Sequence, residues 1–303
     1  MSTHPPTPAS TTTLPKLSRR ALLGRALGAA AGLSLAGVPA PFLAEPAARR
    51  FKIGACDWSI GKMDNPAAFE TAKEIGLDGV QVSMGTAAND MHLRRPEVQA
   101  RFKAAAKASG LAIASLAIGE LNNVPYKSDP RTIAWVNDCV EVCQALGARV
   151  VLLAFFGNDD LRDDPAGVDE VVRRLKLVAP KAEKAGILLG IESWLSAEQH
   201  RRILDRVGSS AVRVYYDLCN STDRGYDIYK EVRQLGKLIC EFHAKENGAL
   251  LGQGKIDFKR VRAAMDDIEY SGWIQIEGAV PPGKAILESY RANCRFLRQL
   301  FTA

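Results

Sequence analysis

The chain has 303 residues, 47% apolar and 24% charged, with 25 Gly and 15 Pro; this ordinary globular composition excludes a disordered, collagen-like or multispan membrane chain. Its net charge of +6 sits at the start, because residues 1–50 hold six Lys/Arg against one acid and leave 34 basic and 33 acidic residues beyond. So neutral a body offers no basic patch to a nucleic acid, which excludes that partner, and about 250 residues suit one domain.

Residues 1–17 are rich in Ser, Thr and Pro. Ser18, Arg19, Arg20, Ala21, Leu22, Leu23 and Gly24 follow, and then the uncharged apolar stretch 26–40. A basic segment before a short apolar one reads as an export signal, and the paired arginines resemble the twin-arginine type. The expectation is a signal and linker over 1–50, engagement of the twin-arginine export machinery, and a periplasmic location for the domain 51–303. Fifteen residues rich in Ala and Gly fall short of the roughly 20 apolar positions of a membrane-spanning helix. The six cysteines, at 56, 139, 143, 219, 240 and 294, lie scattered in apolar contexts, which reads as buried thiols in a chain large enough to need no disulfides.

From Phe51 onward, short β-branched or apolar runs alternate with amphipathic stretches. The strands read as 51–58, 79–84, 111–118, 149–156, 187–193, 212–217, 238–243 and 273–277. Between them, 66–75, 98–109, 130–146 and 168–185 carry apolar residues at helical spacing. Gly76, Gly147 and Gly186 fall where a helix ends and the next strand begins. Eight βα units in about 250 residues predict an α/β fold, a single-domain (β/α)8 TIM barrel, with a doubly wound open sheet as the second choice.

In such a barrel the C-terminal strand ends and the loops after them build the active site. Strands 5 to 8 end on Glu192, Asp217, His243 and Glu277. A lone carboxylate at a strand end commonly caps the next helix, and a lone histidine on an apolar strand is commonly a core residue. Four such residues on consecutive strands form one arc of the rim, where three carboxylates repel one another strongly unless a cation joins them. Three oxygens and one imidazole suit one divalent ion, Mn²⁺, Mg²⁺, Co²⁺ or Zn²⁺. The other histidines, His4, His92 and His200, fall in the leader, a loop and a helix, so a site built on several imidazoles is not available.

These residues resemble the xylose-isomerase-like barrel superfamily, in particular its sugar isomerase and epimerase branch. The resemblance covers about residues 51–300 and rests on GIES around Glu192, YYDLCN around Asp217, FHAKE around His243, GQGKIDF at 252–258 and IQIEG around Glu277. It implies that Glu192, Asp217, His243 and Glu277 bind one divalent metal and that Glu192 and Glu277 form the acid–base pair. Glu198 resembles a further family glutamate. Ketose epimerases of this branch often have His at the position of Asn220, and Asn or His near Trp194; Asn220 can hydrogen-bond a sugar hydroxyl but cannot donate a proton as an imidazolium would. The superfamily's abasic-DNA endonucleases gather several metals with several histidines, which this chain lacks.

The implied chemistry is deprotonation beside a carbonyl to give an enolate, with the two glutamates handling the proton. Reprotonation at the same carbon epimerises a non-phosphorylated sugar, and reprotonation at the neighbouring carbon isomerises it. Loss of a β-substituent would make the protein a lyase or dehydratase of a keto-sugar, keto-glycoside or inosose. An exported sugar-binding protein is the non-enzymatic alternative. Lys245 is a candidate for holding a substrate oxygen, with a solvated rim lysine as the alternative. Trp58 and Trp194, at the ends of strands 1 and 5, are candidates for stacking on a sugar ring, with core packing as the alternative.

Overall fold

The computed structural model describes Met1 and residues 50–301; the export reading of the leader lies outside the described residues. Eight parallel strands close into a barrel in sequence order: β1 Phe51–Cys56, β2 Gly79–Ser83, β3 Ala112–Ile118, β4 Val150–Phe155, β5 Leu188–Ser193, β6 Val212–Asp217, β7 Ile239–Ala244 and β8 Gly272–Ile276. The predicted (β/α)8 barrel is the observed architecture.

The helices are α1 Ala68–Ile75, α2 Pro96–Ser109, α3 Arg131–Leu146, α4 Pro165–Ala185, α5 Ala197–Val207, α6 Leu218–Asp223, α7 Ile228–Leu235, α8 Phe258–Asp267 and α9 Ile286–Phe301. They bury one face on the barrel, as Val171, Val172, Leu175 and Val178 of α4 do. Gly147 adopts the left-handed conformation at φ 74° and caps α3 by donating to Cys143 and Gln144 carbonyls, which turns the chain into β4. No described helix is long and apolar enough to cross a membrane. The described cysteines are all free thiols, as expected, and burial pushes the Cys143 thiol up to about 12.

Alternate residues of a strand point to opposite faces, and inside this barrel they stack in layers. Tyr215, Glu241 and Gln275 form a buried polar layer, while Asp217, His243 and Glu277, each two residues further on, stand above it. Gly54 makes room for this layer, because a Cβ there would collide with the Gln275 amide.

Candidate metal centre

Glu192, Asp217, His243 and Glu277 come together at the C-terminal end of the barrel, each offering one ligand atom within 4.8 Å of the others. Register explains it: Asp217 pairs with His243 across the β6–β7 ladder, and Glu277 N donates to the Ala244 carbonyl just beyond His243. His243 Nδ1 lies 2.8 Å from Glu192 Oε1, 3.6 Å from Glu277 Oε2 and 3.8 Å from Asp217 Oδ2. Such separations suit neighbouring ligands of one ion with bonds of about 2.0–2.2 Å. Asp217 is also a helix cap, its Oδ1 accepting from Cys219 N and Asn220 N at 2.7 and 2.8 Å, while its buried Oδ2 has no hydrogen-bond partner. A buried carboxylate oxygen left unpaired beside an imidazole fits a cation ligand.

The electrostatics divide the carboxylates. Burial pushes Asp217 up to about 7, with repulsion from Glu192 and Glu277 adding to it and Lys245 opposing. Burial also acts to raise Glu277, yet His243, Lys245 and the hydrogen bond from Trp58 bring it down to about 2. Trp58 Nε1 donates to Glu277 Oε1 at 2.9 Å, and Lys245 Nζ donates to Oε2 at 3.1 Å. Burial works against the Lys245 ammonium, but Glu277, Asp217 and Glu192 outweigh it and hold its pKa above the usual lysine value.

A cavity of about 240 Å³ opens over the cluster, lined by Glu192, Glu277, Lys245, Asn220, Trp58 and Trp194, together with Gly119, Asn122, Leu152, Ala154 and Phe156. The size falls below the roughly 300–1,000 Å³ of sites for drug-sized ligands, which leaves room for a small ligand. Trp194 meets Phe156 edge to face at 5.1 Å and carries the guanidinium groups of Arg162 and Arg224 at 4.8 and 5.5 Å from its ring centre. Arg162 is also held by Asp160.

Glu198 stands elsewhere. It lies in the first turn of α5 with its side chain 75% exposed, ion-paired with Arg202 one turn on, and it does not line the cavity. The sequence reading has it as a substrate contact; here the capping box of Ser196 and Gln199 starts α5 so that position 198 faces solvent. The run at 252–258 is tied down by Glu246, whose carboxylate accepts from Lys255 N and Ile256 N, and the same carboxylate occupies the space a Cβ at Gly254 would need.

Sequence reasoning missed the groups behind the ligands. Gln81 Oε1 lies 2.9 Å from His243 Nε2 and 3.1 Å from Cys56 Sγ. Asp57, fully buried after β1, accepts from Ser83 N at 3.0 Å and has one unpaired oxygen; burial pushes it up to about 8. It is a carboxylate at a strand end, the signal that singled out Glu192. Asn122 was also missed, its Oδ1 accepting from Phe156 N where the loops after β3 and β4 meet.

Residues 69–300 match the family model of the xylose isomerase-like TIM barrel. The chain belongs to that family. Among curated proteins, this xylose isomerase-like barrel is 24% identical over 177 residues to 2-epi-5-epi-valiolone 7-phosphate 2-epimerase of Actinoplanes sp., covering 58% of this chain and 65% of that one. It is 25% identical over 138 residues to D-psicose 3-epimerase of Enterocloster bolteae, covering 43% and 45%. The matches thus span less than two thirds of either relative. Among solved structures, it superposes with a TM-score of 0.71 on D-psicose 3-epimerase from Clostridium cellulolyticum H10 with D-tagatose, at 17% identity over 83% of this chain and 100% of that one. The 3-keto-D-glucoside 4-epimerase from E. coli superposes at 0.68, with 16% identity over 82% and 99%. At these identities the structural matches establish the fold alone.

Proposed function

We propose that the chain is a divalent-metal-dependent sugar isomerase or epimerase, moving a proton through an enolate of a non-phosphorylated sugar. The observation that carries this reading is the convergence of Glu192, Asp217, His243 and Glu277 within 4.8 Å at the floor of a cavity walled by Trp58 and Trp194. These four residues would hold the ion. A divalent ion there supplies Lewis-acid polarisation of a carbonyl and relieves the repulsion among three carboxylates. The curated relatives, epimerases by name, support the same class.

Glu192 and Glu277 enter the cavity from β5 and the end of β8, so they can address a substrate carbon from two sides, one removing the proton and the other returning it. Lys245 and Trp58 hold Glu277 ionised and fix both of its oxygens. In this reading Asn220 and Lys245, which line the cavity, take substrate hydroxyls, and Trp58 and Trp194 offer apolar faces to the ring. Export by the twin-arginine route, as read from residues 1–50, favours a free, oxidised or glycosidic sugar, since sugar phosphates are mainly intracellular. Lys245, the cation among the cavity-lining residues, is already engaged by Glu277.

Chelation followed by metal restoration tests the reading. Turnover of a sugar panel should vanish with chelator and return with metal. Sugar binding that persists without metal, with no turnover under either condition, would leave a binding protein instead.

A further inference from the structure

Below the ligand layer, three donors converge on one oxygen of Glu241: Gln275 Nε2 at 2.7 Å, Ser115 Oγ at 2.8 Å and Tyr215 Oη at 3.1 Å. All four residues are buried. An oxygen that receives three donors is an acceptor whatever charge the other oxygen carries. The single hydroxyl proton of Tyr215 is therefore committed to Glu241, and its oxygen accepts from Gln81 Nε2 at 3.0 Å. That contact orients the Gln81 amide, whose oxygen faces His243 Nε2 at 2.9 Å and Cys56 Sγ at 3.1 Å. An amide oxygen cannot donate, so Nε2, which also lies 3.3 Å from Cys56 Sγ, carries a proton, and Nδ1 is the ring nitrogen that faces the three carboxylates, able to ligate once any proton it holds there has left.

We propose that Gln81 is a positioning residue for the metal centre: oriented through Tyr215 by the buried Glu241, it fixes His243 as the Nε2–H tautomer and leaves Nδ1 as the ligand atom. The inference rests on the metal-dependent reading of the same site. It assigns a purpose to polar groups on β2, β3, β6, β7 and β8 that the proton-transfer chemistry does not use. Turning the Gln81 amide over would present its NH₂ to Nε2, move the ring proton to Nδ1 and take the imidazole out of the ligand set. Partners of this kind on a metal-bound histidine change affinity by about 10–100-fold.

The test uses the full chain. Mn²⁺ affinity is measured by calorimetry for the parent, Gln81→Leu, Gln81→Glu and Tyr215→Phe, with thermal unfolding as a check on folding. The imidazole ¹⁵N shifts of the histidine-labelled parent are recorded with Zn²⁺ bound. Gln81→Leu should bind Mn²⁺ about 10–100-fold more weakly, and Gln81→Glu, which still accepts from Nε2–H, should recover most of that loss. Tyr215→Phe, which frees the amide to turn without touching a ligand, should lie between them and keeps the test open if Gln81→Leu does not fold. Parent-like affinity in both Gln81→Leu and Tyr215→Phe, or an Nδ1–H spectrum for His243 with Zn²⁺ bound, overturns the proposal. A parent that binds no divalent ion overturns the metal-dependent reading together with it, and the parent titration alone separates that failure from the first.

Discussion

Asp217 stands beside His243 in the β6–β7 ladder with two duties divided between its two oxygens: Oδ1 caps α6, and Oδ2 faces His243 Nδ1 at 3.8 Å without a donor of its own. Substitution should separate these duties. Asp217→Asn keeps an oxygen for the cap, whereas Asp217→Ala loses it, at a typical cost of about 1 kcal/mol, or roughly 2–4 °C in a domain of this size. Both should weaken divalent-ion binding severely. Calorimetry and thermal melts on the two variants check it; full metal affinity in Asp217→Asn would remove Asp217 from the ligand set.

Glu277 is the carboxylate that Trp58 and Lys245 grip together. Glu277→Gln preserves shape while removing the proton acceptor, and turnover should fall by about 10²–10⁴-fold with the fold intact by circular dichroism. Near-parent activity would exclude Glu277 from the acid–base pair.

Trp194 bounds the cavity through its ring, which Phe156 and two arginines hold. Trp194→Ala should raise KM by about 3–10-fold, the loss of an aromatic contact, while kcat changes less. Glu198→Ala provides the contrast, because its exposed ion pair with Arg202 contributes little and kcat/KM should stay within about twofold of the parent. Steady-state kinetics on both variants decide between the cavity observed here and the wider contact set that the family resemblance implied.

Asp57 gives a pH signature. Burial holds its carboxyl near 8, so the folded chain keeps a proton that the unfolded chain, at 3.8, has released. The folded state binds more protons across that window, so this group's contribution to stability falls as pH rises from about 4 to about 8. Asp57→Asn, which can still accept from Ser83 N, should lose less stability over the same range. Urea denaturation at pH 5 and pH 8 measures it, and an equal decline in parent and variant would contradict the assignment.

The strand pattern was legible because the barrel strands are largely apolar and Gly76, Gly110, Gly147, Gly186 and Gly208 cap the helices before β2 to β6; 212–217 coincides with β6, and 238–243 differs from β7 by one residue at each end. The ligands were legible for a related reason, since a charged residue closing an apolar strand is conspicuous. Gln81, Ser115 and Gln275 were not, because a neutral polar residue inside a strand carries no sign of which neighbour it will meet. Glu241, two residues before His243, does share its face, and period-two spacing of polar residues on β6, β7 and β8 is the signal that could have found the lower layer. Asp57 was within reach of the strand-end rule, had it been applied beyond strands 5 to 8. Asn122 and Phe156 depend on how two loops meet, which periodicity does not encode.

The most direct measurement of the central claim is exchange of substrate C–H hydrogen in D₂O, followed by NMR with metal-free and metal-loaded protein across free ketoses, keto-glycosides and inososes. Deuterium should enter a carbon adjacent to a carbonyl only when metal is present, and the product then distinguishes epimerisation, isomerisation and elimination. Metal-loaded protein that exchanges no hydrogen in any of these sugars would contradict the enolate chemistry assigned to Glu192 and Glu277.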